Sequence, residues 1–574
     1  MSTPPVEKSI IVIGAGIAGL SAGCYGQMNG YRTQIFEQHS KPGGLCTSWR
    51  RKGYTFDGCL ALGVAGSRPG SGSHRIWAEL GAFRDGKVID REEYLRIEGT
   101  NGEQLILYAD VDRLEQHMMV SFPEDAPRIR ELCETVRLFS RLDMPPDKPR
   151  ELYGLSDFAK MSLRMLPFIR AFWKHSKQSV EEFGALFSTP FLRRAFPLTL
   201  HFDTPEPMLS LALILAWMNT GNVGFPLGGS LKFARDIERR YLDLGGTIHY
   251  RRPVERILLC RRENGTSKIR GVRLADGTEH RADIVISAAD GHTTLFELLQ
   301  GECISDEIRT YYDQLPVFPS IVQVSLGVNR DLSGEPSDIK CLLEAPIDVA
   351  GKRLDYLPIR HYCCDASLAP PGKSVVVVQF PSPYAYWKRL GEDTERYNAE
   401  KQAVAETVVE HLERRLPGIS QQIEVVDVSS PVTTERYTGN WQGSVMGWLS
   451  TTDTADVDKS RTLPGLEGFY MSGQWAEARG GLPSVALSGR QVMQMICAED
   501  NKAFVAQPAT DRAQGHEGVC DDGTRSKSSS SSRVGGRLSG SSNRHTRVRH
   551  GIQYGERDQE ADGNLEPTAY SKED

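Results

Sequence analysis

Three glycines near the start of the chain have the spacing of a phosphate-binding turn, since they follow the apolar run IIVI of residues 10–13. The first glycine allows a tight turn, the second lets the backbone approach a pyrophosphate, and the third lets a helix pack on the strand. The helix N-terminus then directs free N–H groups at the phosphates. The pattern predicts a dinucleotide site whose turn consists of Gly14, Ala15, Gly16, Ile17, Ala18 and Gly19.

An acidic residue after the second predicted strand supports the same site. The segment TQIF is followed by Glu37 and Gln38. A carboxylate at this position hydrogen-bonds ribose hydroxyls and repels a 2′-phosphate. A glycine-rich turn in an unrelated α/β protein is the alternative. The strand, turn, helix and acid in succession favour a dinucleotide.

Two further segments favour FAD over NAD. Gly43, Gly44 and Leu45 form a second close-approach turn directly after the second strand. Near the C-terminus, GFYMSGQWAEARGGLPSVALSGR adds a strand, a glycine turn and a helix. The N-terminus of that helix could stabilise the negative charge of a reduced flavin. A nicotinamide enzyme has no need for this third element, so FAD is the predicted cofactor.

The motifs lie in three separated parts of a chain of 574 residues, with long insertions between them. Residues 8–37 have the periodicity of a strand, a helix and a strand. Strand patterns return between residues 228 and 300, including the buried run ADIVIS, and a helix is predicted around 394–415. We therefore expect an α/β fold, in which a Rossmann-like FAD-binding domain is built from discontinuous segments and carries an inserted α+β substrate domain.

The predicted domain boundaries follow these changes of pattern. The FAD-binding domain is predicted from residues 8–84, 224–300 and 441–500, and the substrate domain from residues 85–223 and 301–440. Residues 501–574 contain a run of serines and an arginine-rich stretch. Because that composition cannot bury enough apolar surface to fold, we predict a disordered tail.

Bulk composition excludes several classes of protein. A formal net charge of −6 offers no general attraction to nucleic acid. The 11 cysteines show no metal-site spacing, which predicts no metal site and a reducing compartment. Neither a secretory signal nor a run of about 18 apolar residues is visible. We expect a cytoplasmic protein, with peripheral membrane contact left open.

The flavin segments, together with GFPLGGSLKFARDIERRYLDLGGTIHYRRPVERI, resemble the phytoene desaturase family of FAD-dependent oxidoreductases. Retinol saturases and monoamine-oxidase-like flavoproteins are wider relatives. The resemblance spans residues 8–500, of which only the flavin segments are specific. It implies hydride transfer between a flavin and a C–H bond of a lipophilic small molecule, such as a polyene or isoprenoid. The final electron acceptor is not implied.

The resemblance also implies further cofactor contacts. Val254 would contact the adenine end through its backbone, and Ala288 would run past the cofactor. Gly473 and Gln474 would meet the region between the pyrophosphate and the ribityl chain. The residues expected near the isoalloxazine are Leu482, Pro483 and Ala486.

Candidates for acid–base chemistry are few. Glu477 and Arg479 come just before the flavin-facing turn and are predicted to be catalytic; the alternative is an ion pair that braces the turn. Residues 158–173 mix Lys160, Arg164 and Arg170 with large apolar side chains. This helix pattern predicts either an interfacial helix resting on a membrane or a helix packed on the core with a solvated basic edge.

Four functions compete. The leading hypothesis is a desaturase (dehydrogenase) of a lipophilic molecule. Leu45-Cys46, where desaturases commonly carry Gly-Arg, is closer to a retinol-saturase-like reductase. A flavin amine oxidase would need an aromatic cage, for which Trp475 offers one wall. A non-enzymatic prenyl-binding escort protein would lose the phosphate-binding glycines, which are intact here.

Overall fold

The structure of the chain is a computed structural model that describes residues 8–61, 63–83, 87–143, 148–200, 204–454, 459–477 and 480–509. The strands are β1 (Ser9–Ile13), β2 (Arg32–Glu37), β3 (Ser48–Arg51), β4 (Tyr54–Asp57), β5 (Val64–Ala65), β6 (Val88–Asp90), β7 (Glu93–Glu98), β8 (Gln104–Tyr108), β9 (Val223–Pro226), β10 (Thr247–Tyr250), β11 (Val254–Arg261), β12 (Ser267–Leu274), β13 (Glu279–Arg281), β14 (Ile284–Ser287), β15 (Ile321–Val328), β16 (Asp338–Val349), β17 (Lys352–His361), β18 (Ser374–Pro381), β19 (Ile423–Ser429), β20 (Leu466–Glu467) and β21 (Phe469–Met471).

The α-helices are α1 (Ile17–Met28), α2 (His74–Leu80), α3 (Val111–Ser121), α4 (Ala126–Phe139), α5 (Leu155–Met165), α6 (Ile169–Ser176), α7 (Val180–Gly184), α8 (Pro190–Ala195), α9 (Met208–Asn219), α10 (Gly229–Asp243), α11 (Asp306–Gln314), α12 (Tyr384–Leu390), α13 (Thr394–Arg415), α14 (Pro431–Thr438) and α15 (Leu482–Glu499). One turn of π-helix covers Thr293–Leu298.

A parallel sheet of five strands, in the order β10-β2-β1-β14-β21, carries the glycine turns at its carboxyl edge. Every residue of β1 and of β14 is buried, because a central strand of such a sheet is covered on both faces. This explains why both strands read as continuous apolar runs. All five strands come from the three segments assigned by sequence to the FAD-binding domain.

A second sheet of seven strands has the order β19-β15-β18-β17-β16-β7-β8, and its strands come from the two inserted segments. Its neighbours are antiparallel except for β16 and β7. One face packs against α13, whose buried Val404, Val408 and Leu412 join the apolar side chains of β15 and β18. The fold is therefore α/β, with a Rossmann-like FAD-binding part assembled from separated segments and an inserted α+β part.

The helices α5 and α6 differ from the rest of the inserted part because they bury almost nothing. No residue of α5 is buried, and His175 is the buried residue of α6. Their exposed large apolar side chains are Leu155, Phe158, Leu163, Ile169, Phe172 and Trp173, with Leu166 between the two helices. Met165 and Ala171 pack against the apolar cluster that includes α9, so both alternatives for this segment stay predictions. No helix in the described part of the chain is long and apolar enough to cross a membrane.

The start of the predicted disordered tail requires a correction. Residues 501–509 run along the body of the protein, where Asn29 and Val505 exchange two hydrogen bonds of 2.8 and 2.7 Å. The Phe504 ring lies 4.9 Å from the Arg490 guanidinium carbon and 5.7 Å from the Tyr25 ring. The composition of residues 501–509 does not predict their ordered path, since their few apolar residues pack on partners far away in the sequence. Residues 510–574 lie outside the described residues.

Candidate cofactor and active site

The first glycine turn is shaped by its own backbone. Gly14 has a φ of +95°, and a Cβ there would lie 3.3 Å from the carbonyl oxygen of Ala288. A Cβ on Gly19 would lie 2.0 Å from the Gly14 carbonyl oxygen, so no larger residue fits. At Gly16, by contrast, a Cβ would meet only the Gly43 oxygen, at 3.9 Å. The described residues leave open space beside Gly16, which is what the close approach of a pyrophosphate would require.

The helix after this turn presents unused N–H groups. The N-cap of α1 is Gly16, which has no side chain to cap the helix, and the first turn contains no acidic residue. Ile17 and Ala18 therefore begin a helix whose positive end is left for a ligand anion. Ala15 is fully buried, and its N–H donates to the Glu37 carboxylate rather than facing the open side.

The second glycine turn lies directly against the first. The Gly43 N–H donates to the Ala15 carbonyl oxygen at 2.9 Å. Gly43 has a φ of +110° and Gly44 a φ of +59°, and a Cβ on Gly44 would lie 3.5 Å from the Gly16 Cα. Gly44 and Leu45 are partly exposed. The two turns are thus brought together, as the sequence predicts for an extended dinucleotide.

Glu37 ends β2 with a fixed carboxylate. One oxygen accepts the Ala15 N–H at 2.6 Å and the other accepts the His39 N–H at 2.8 Å. Burial raises the pKa of Glu37, and these backbone donors oppose the rise. Each oxygen keeps a lone pair that a ribose hydroxyl could use. Gln38 is exposed, and its side-chain nitrogen lies 3.1 Å from the place that a Cβ on Gly439 would take.

Two residues implied by the family resemblance lie along the same edge. The Ala288 N–H donates to the Ile13 carbonyl oxygen at 2.9 Å, which holds the end of β14 beside the glycine turn. Val254 begins β11 and is partly exposed. It follows Arg252, whose N–H donates to the Glu37 carbonyl oxygen at 2.9 Å. Val254 therefore lies close to the end of β2 that carries Glu37, and its contact with adenine stays a prediction.

The C-terminal segment closes the other end of the site. Gly473 has a φ of +107°, and its N–H donates to the Ser488 hydroxyl at 2.9 Å. A Cβ on Gly473 would lie 3.4 Å from the Ala18 Cβ, so this turn faces the start of α1. The Gln474 amide donates to the Asn440 side-chain oxygen at 3.3 Å.

Helix α15 packs directly on α1, so that the two N-termini lie at one edge. The Ser21 hydroxyl donates to the Ala486 carbonyl oxygen at 2.6 Å, and a Cβ on Gly489 would lie 2.6 Å from the Ala18 oxygen. The N-cap of α15, Gly481, has a φ of +107° and no side-chain cap. Leu482 and Pro483 are partly exposed, whereas Ala486 is buried in the contact between the helices.

Glu477 forms an ion pair with Arg461, a partner that the sequence did not indicate. The Arg461 guanidinium lies 2.7 Å from the Glu477 carboxylate and 2.7 Å from that of Glu151. Burial raises the pKa of Glu477, and Arg461 opposes the rise. This is the bracing arrangement considered as the alternative, with Arg461 as the cation. Arg479 lies outside the described residues, so a catalytic role for either residue stays a prediction.

Trp475 belongs to a cluster of aromatic rings. Its indole N–H donates to Asn440 at 3.2 Å, and its ring packs 5.1 Å from Trp448 and 6.4 Å from Tyr312. A ring held by protein on these sides is a poor wall for an aromatic cage. The buried Asp290 carboxyl accepts the Thr293 and Trp441 N–H groups.

Sequence reasoning missed Asp57, a carboxylate that joins the segment after the second glycine turn to the start of α10. Asp57 is fully buried and accepts four hydrogen bonds from Cys59 N–H, Leu60 N–H, and the Ser230 N–H and hydroxyl. Burial raises the pKa of Asp57, and these donors oppose the rise. The motif YTFDGC contains this residue, but nothing local indicates its partner on α10. Among the described residues, no cluster of three or more His, Cys, Asp or Glu could hold a metal ion.

Comparison with known proteins identifies the family and the fold. Residues 17–497 match the family described as flavin containing amine oxidoreductase. A chloroplastic prolycopene isomerase of Arabidopsis thaliana is 25% identical over 504 residues, covering 85% of this chain and 82% of that protein. A neurosporene-forming phytoene desaturase of Rhodobacter capsulatus is 24% identical over 519 residues, covering 85% and 93%. Cyclohexylamine oxidase from Brevibacterium oxydans has the same fold, with a TM-score of 0.55 at 13% identity, covering 86% and 100%.

Proposed function

Because the chain belongs to the flavin containing amine oxidoreductase family and is an FAD-dependent oxidoreductase, we propose that it dehydrogenates a lipophilic small molecule of the polyene or isoprenoid class. The observation that carries the proposal is the shared edge where two uncapped helix N-termini and two glycine turns meet. The relatives named for carotenoid chemistry supply the substrate class. We also propose the division into FAD-binding and substrate domains given by the two sheets.

The residues of this chain bind and orient the cofactor. When bound, FAD supplies a two-electron acceptor for a hydride from a C–H bond. The turn from Gly14 to Gly19 and the N-terminus of α1 hold the phosphates, and the Glu37 carboxylate receives the ribose hydroxyls. The N-terminus of α15 would supply partial positive charge that stabilises the negative charge of a reduced flavin. Leu482 and Pro483, the first residues of this helix, would cover the ring from water.

For Glu477, the pairing with Arg461 favours a positioning role. Glu477→Gln distinguishes the two roles. Positioning predicts weaker retention of FAD with an unchanged pH profile of turnover. Acid–base chemistry predicts full FAD content, slow turnover and the loss of one limb of the pH profile.

The exposed surface of α5 and α6 supports a lipophilic substrate. Apolar side chains of this size are rarely left exposed in a contiguous group unless they contact a lipid or a protein. Lys160, Arg164, Arg170 and Lys174 are exposed on the same two helices. This combination is typical of an interfacial helix on an anionic lipid surface. We propose that α5 and α6 rest on a membrane from which the substrate is collected.

Sedimentation with lipid vesicles tests the membrane contact. The protein is expected to bind phosphatidylglycerol-containing vesicles more tightly than pure phosphatidylcholine vesicles. The double variant Leu163→Ser/Trp173→Ser removes two side chains that are 73% and 70% exposed and should weaken binding about 10- to 100-fold. Val120→Ser, which removes an apolar side chain 78% exposed on α3, is the matched control. Equal binding by both variants would contradict the contact.

A second candidate function is cis–trans isomerisation of a polyene, favoured by the relative named prolycopene isomerase. Product mass separates the candidates. The purified holoprotein is mixed without oxygen with a panel of polyenes, and the products are analysed by mass spectrometry. Dehydrogenation lowers the mass by two hydrogens and bleaches the flavin, isomerisation changes neither, and a saturase adds two hydrogens from pre-reduced flavin. Reduction of the flavin by amines alone would refute the proposal.

A further inference from the structure

Two cysteines face each other just after the second glycine turn. The antiparallel pairing of β3 with β4 continues past the ends of the two strands, since the Gly58 N–H donates to the Thr47 carbonyl oxygen at 3.0 Å. At the next position along the two segments, Cys46 is opposite Cys59. Their side chains hydrogen-bond each other, so the two sulfur atoms are in contact.

The strand register gives this pair the spacing of a disulfide. Thr47 and Gly58 form a hydrogen-bonded pair, so Cys46 and Cys59 occupy the non-hydrogen-bonded position that follows it. Opposite Cα atoms at such a position are about 4.5 Å apart, and a disulfide spans Cα distances of about 4.4–6.8 Å. Both cysteines are free thiols in the structure. The fold thus holds two thiols where a bond between them is geometrically allowed.

The two thiols differ in exposure. Cys59 is partly exposed, whereas Cys46 is buried and its thiol donates to the Ser230 carbonyl oxygen at 3.6 Å. The hydrogen bond with Cys59 and burial raise the pKa of the Cys46 thiol, so this sulfur stays protonated. Oxidation of a cysteine by a dissolved oxidant requires access to its sulfur. An oxidant therefore meets Cys59 first, with Cys46 directly behind it.

We propose that Cys46 and Cys59 are a modification site at which hydrogen peroxide converts the two thiols to a disulfide. The Cys59 sulfur attacks one peroxide oxygen, the O–O bond breaks, and the departing hydroxide takes the thiol proton as water. The Cys46 sulfur then displaces hydroxide from the Cys59 sulfenic acid, and its proton leaves with that hydroxide as a second water. The two thiols lose two electrons and two protons, which reduce the peroxide to two waters.

The second glycine turn connects this site to the cofactor site. The Cys46 N–H donates to the Gly43 carbonyl oxygen at 3.0 Å, and Gly44 lies beside Gly16. A sulfur in a disulfide has no proton to donate, so oxidation removes the hydrogen bond from Cys46 to Ser230 at the start of α10. This loosens the support of the turn, and we expect FAD to bind about two- to tenfold more weakly to the oxidised protein.

Peptide mapping tests the disulfide. The full-length holoprotein is treated with hydrogen peroxide, its remaining thiols are blocked with iodoacetamide, and it is digested with trypsin without reduction. Cleavage after Arg50 separates the two cysteines, so the disulfide gives two linked peptides that are two hydrogens lighter than their sum. The variants are Cys46→Ser and Cys59→Ser. Cys260→Ser, which removes an exposed cysteine elsewhere, is the control. Release of FAD on dilution is followed by flavin fluorescence.

The wild type and Cys260→Ser are expected to give the linked peptides and to release FAD more readily after oxidation, and dithiothreitol should reverse both effects. In Cys46→Ser, dimedone should label Cys59 as a sulfenic acid, whereas in Cys59→Ser the buried Cys46 should stay reduced. Oxidation of Cys260 without the linked peptides, or linkage of Cys59 to a different cysteine, overturns the inference. Unchanged FAD release by a wild type that carries the disulfide overturns the connection to the cofactor site.

Discussion

The variants Gly16→Ala and Gly19→Ala distinguish a glycine that cofactor binding requires from a glycine that folding requires. Gly16 has a φ of −67°, which any residue adopts, and an added Cβ would meet only the Gly43 oxygen at 3.9 Å. Alanine lowers the backbone entropy of the unfolded chain, which stabilises the folded protein by about 0.4–1 kcal/mol. This gain offsets the modest loss from replacing a glycine at an N-cap. The apoprotein should therefore unfold within about 0.5 kcal/mol of the wild type. Overpacking of the pyrophosphate space by about 1–3 kcal/mol should weaken FAD binding about 5- to 150-fold.

Gly19→Ala should give the opposite result. Its Cβ would lie 2.0 Å from the Gly14 carbonyl oxygen, so the apoprotein itself should lose about 2 kcal/mol or more. Gly334→Ala, at a glycine with open space around it, is the control. The assays are titration of the apoproteins with FAD and their unfolding by urea. Wild-type FAD affinity in Gly16→Ala would refute the assignment of this space to the pyrophosphate.

Three further predictions concern buried charges. Glu79 and Arg490 form an ion pair in which both side chains are almost fully buried, and Glu79→Ala should cost about 3–5 kcal/mol in urea unfolding; a loss under 1 kcal/mol would contradict the pairing. Burial raises the pKa of Asp290 to about 6, so its contribution to stability is complete below its unfolded pKa and falls by about 3 kcal/mol as pH rises to 6. The stability of the wild type relative to Asp290→Asn should decline across this window, and a flat difference would be inconsistent with the buried carboxyl. Glu37→Gln presents an NH₂ group to one of two backbone donors, so FAD affinity should fall about tenfold in a fluorescence titration, and an unchanged affinity would argue against the ribose contact.

The nucleotide-binding part of the fold could be predicted because its signals are local. The strand, turn and helix of residues 8–37 occur as expected, and the helix predicted around 394–415 spans Thr394–Arg415. Glycine spacing and apolar periodicity involve residues that are close together in the sequence, so they can be interpreted without a structure. The side-by-side arrangement of the two glycine turns followed from the same reasoning.

The features of the fold and of the candidate site that the sequence did not predict depend on contacts between distant segments. The pairing of β16 with β7 joins Ile339 to Arg96, and nothing near either residue specifies the other. Arg461 as the partner of Glu477 is hidden for the same reason.

The most direct test of the account is a single turnover of the holoprotein with a polyene in the absence of oxygen. The account predicts that the protein is isolated with FAD, that its visible flavin band bleaches on mixing, and that the product has lost two hydrogens. A protein that cannot take up FAD, or whose flavin is bleached by amines and by no polyene, would contradict it.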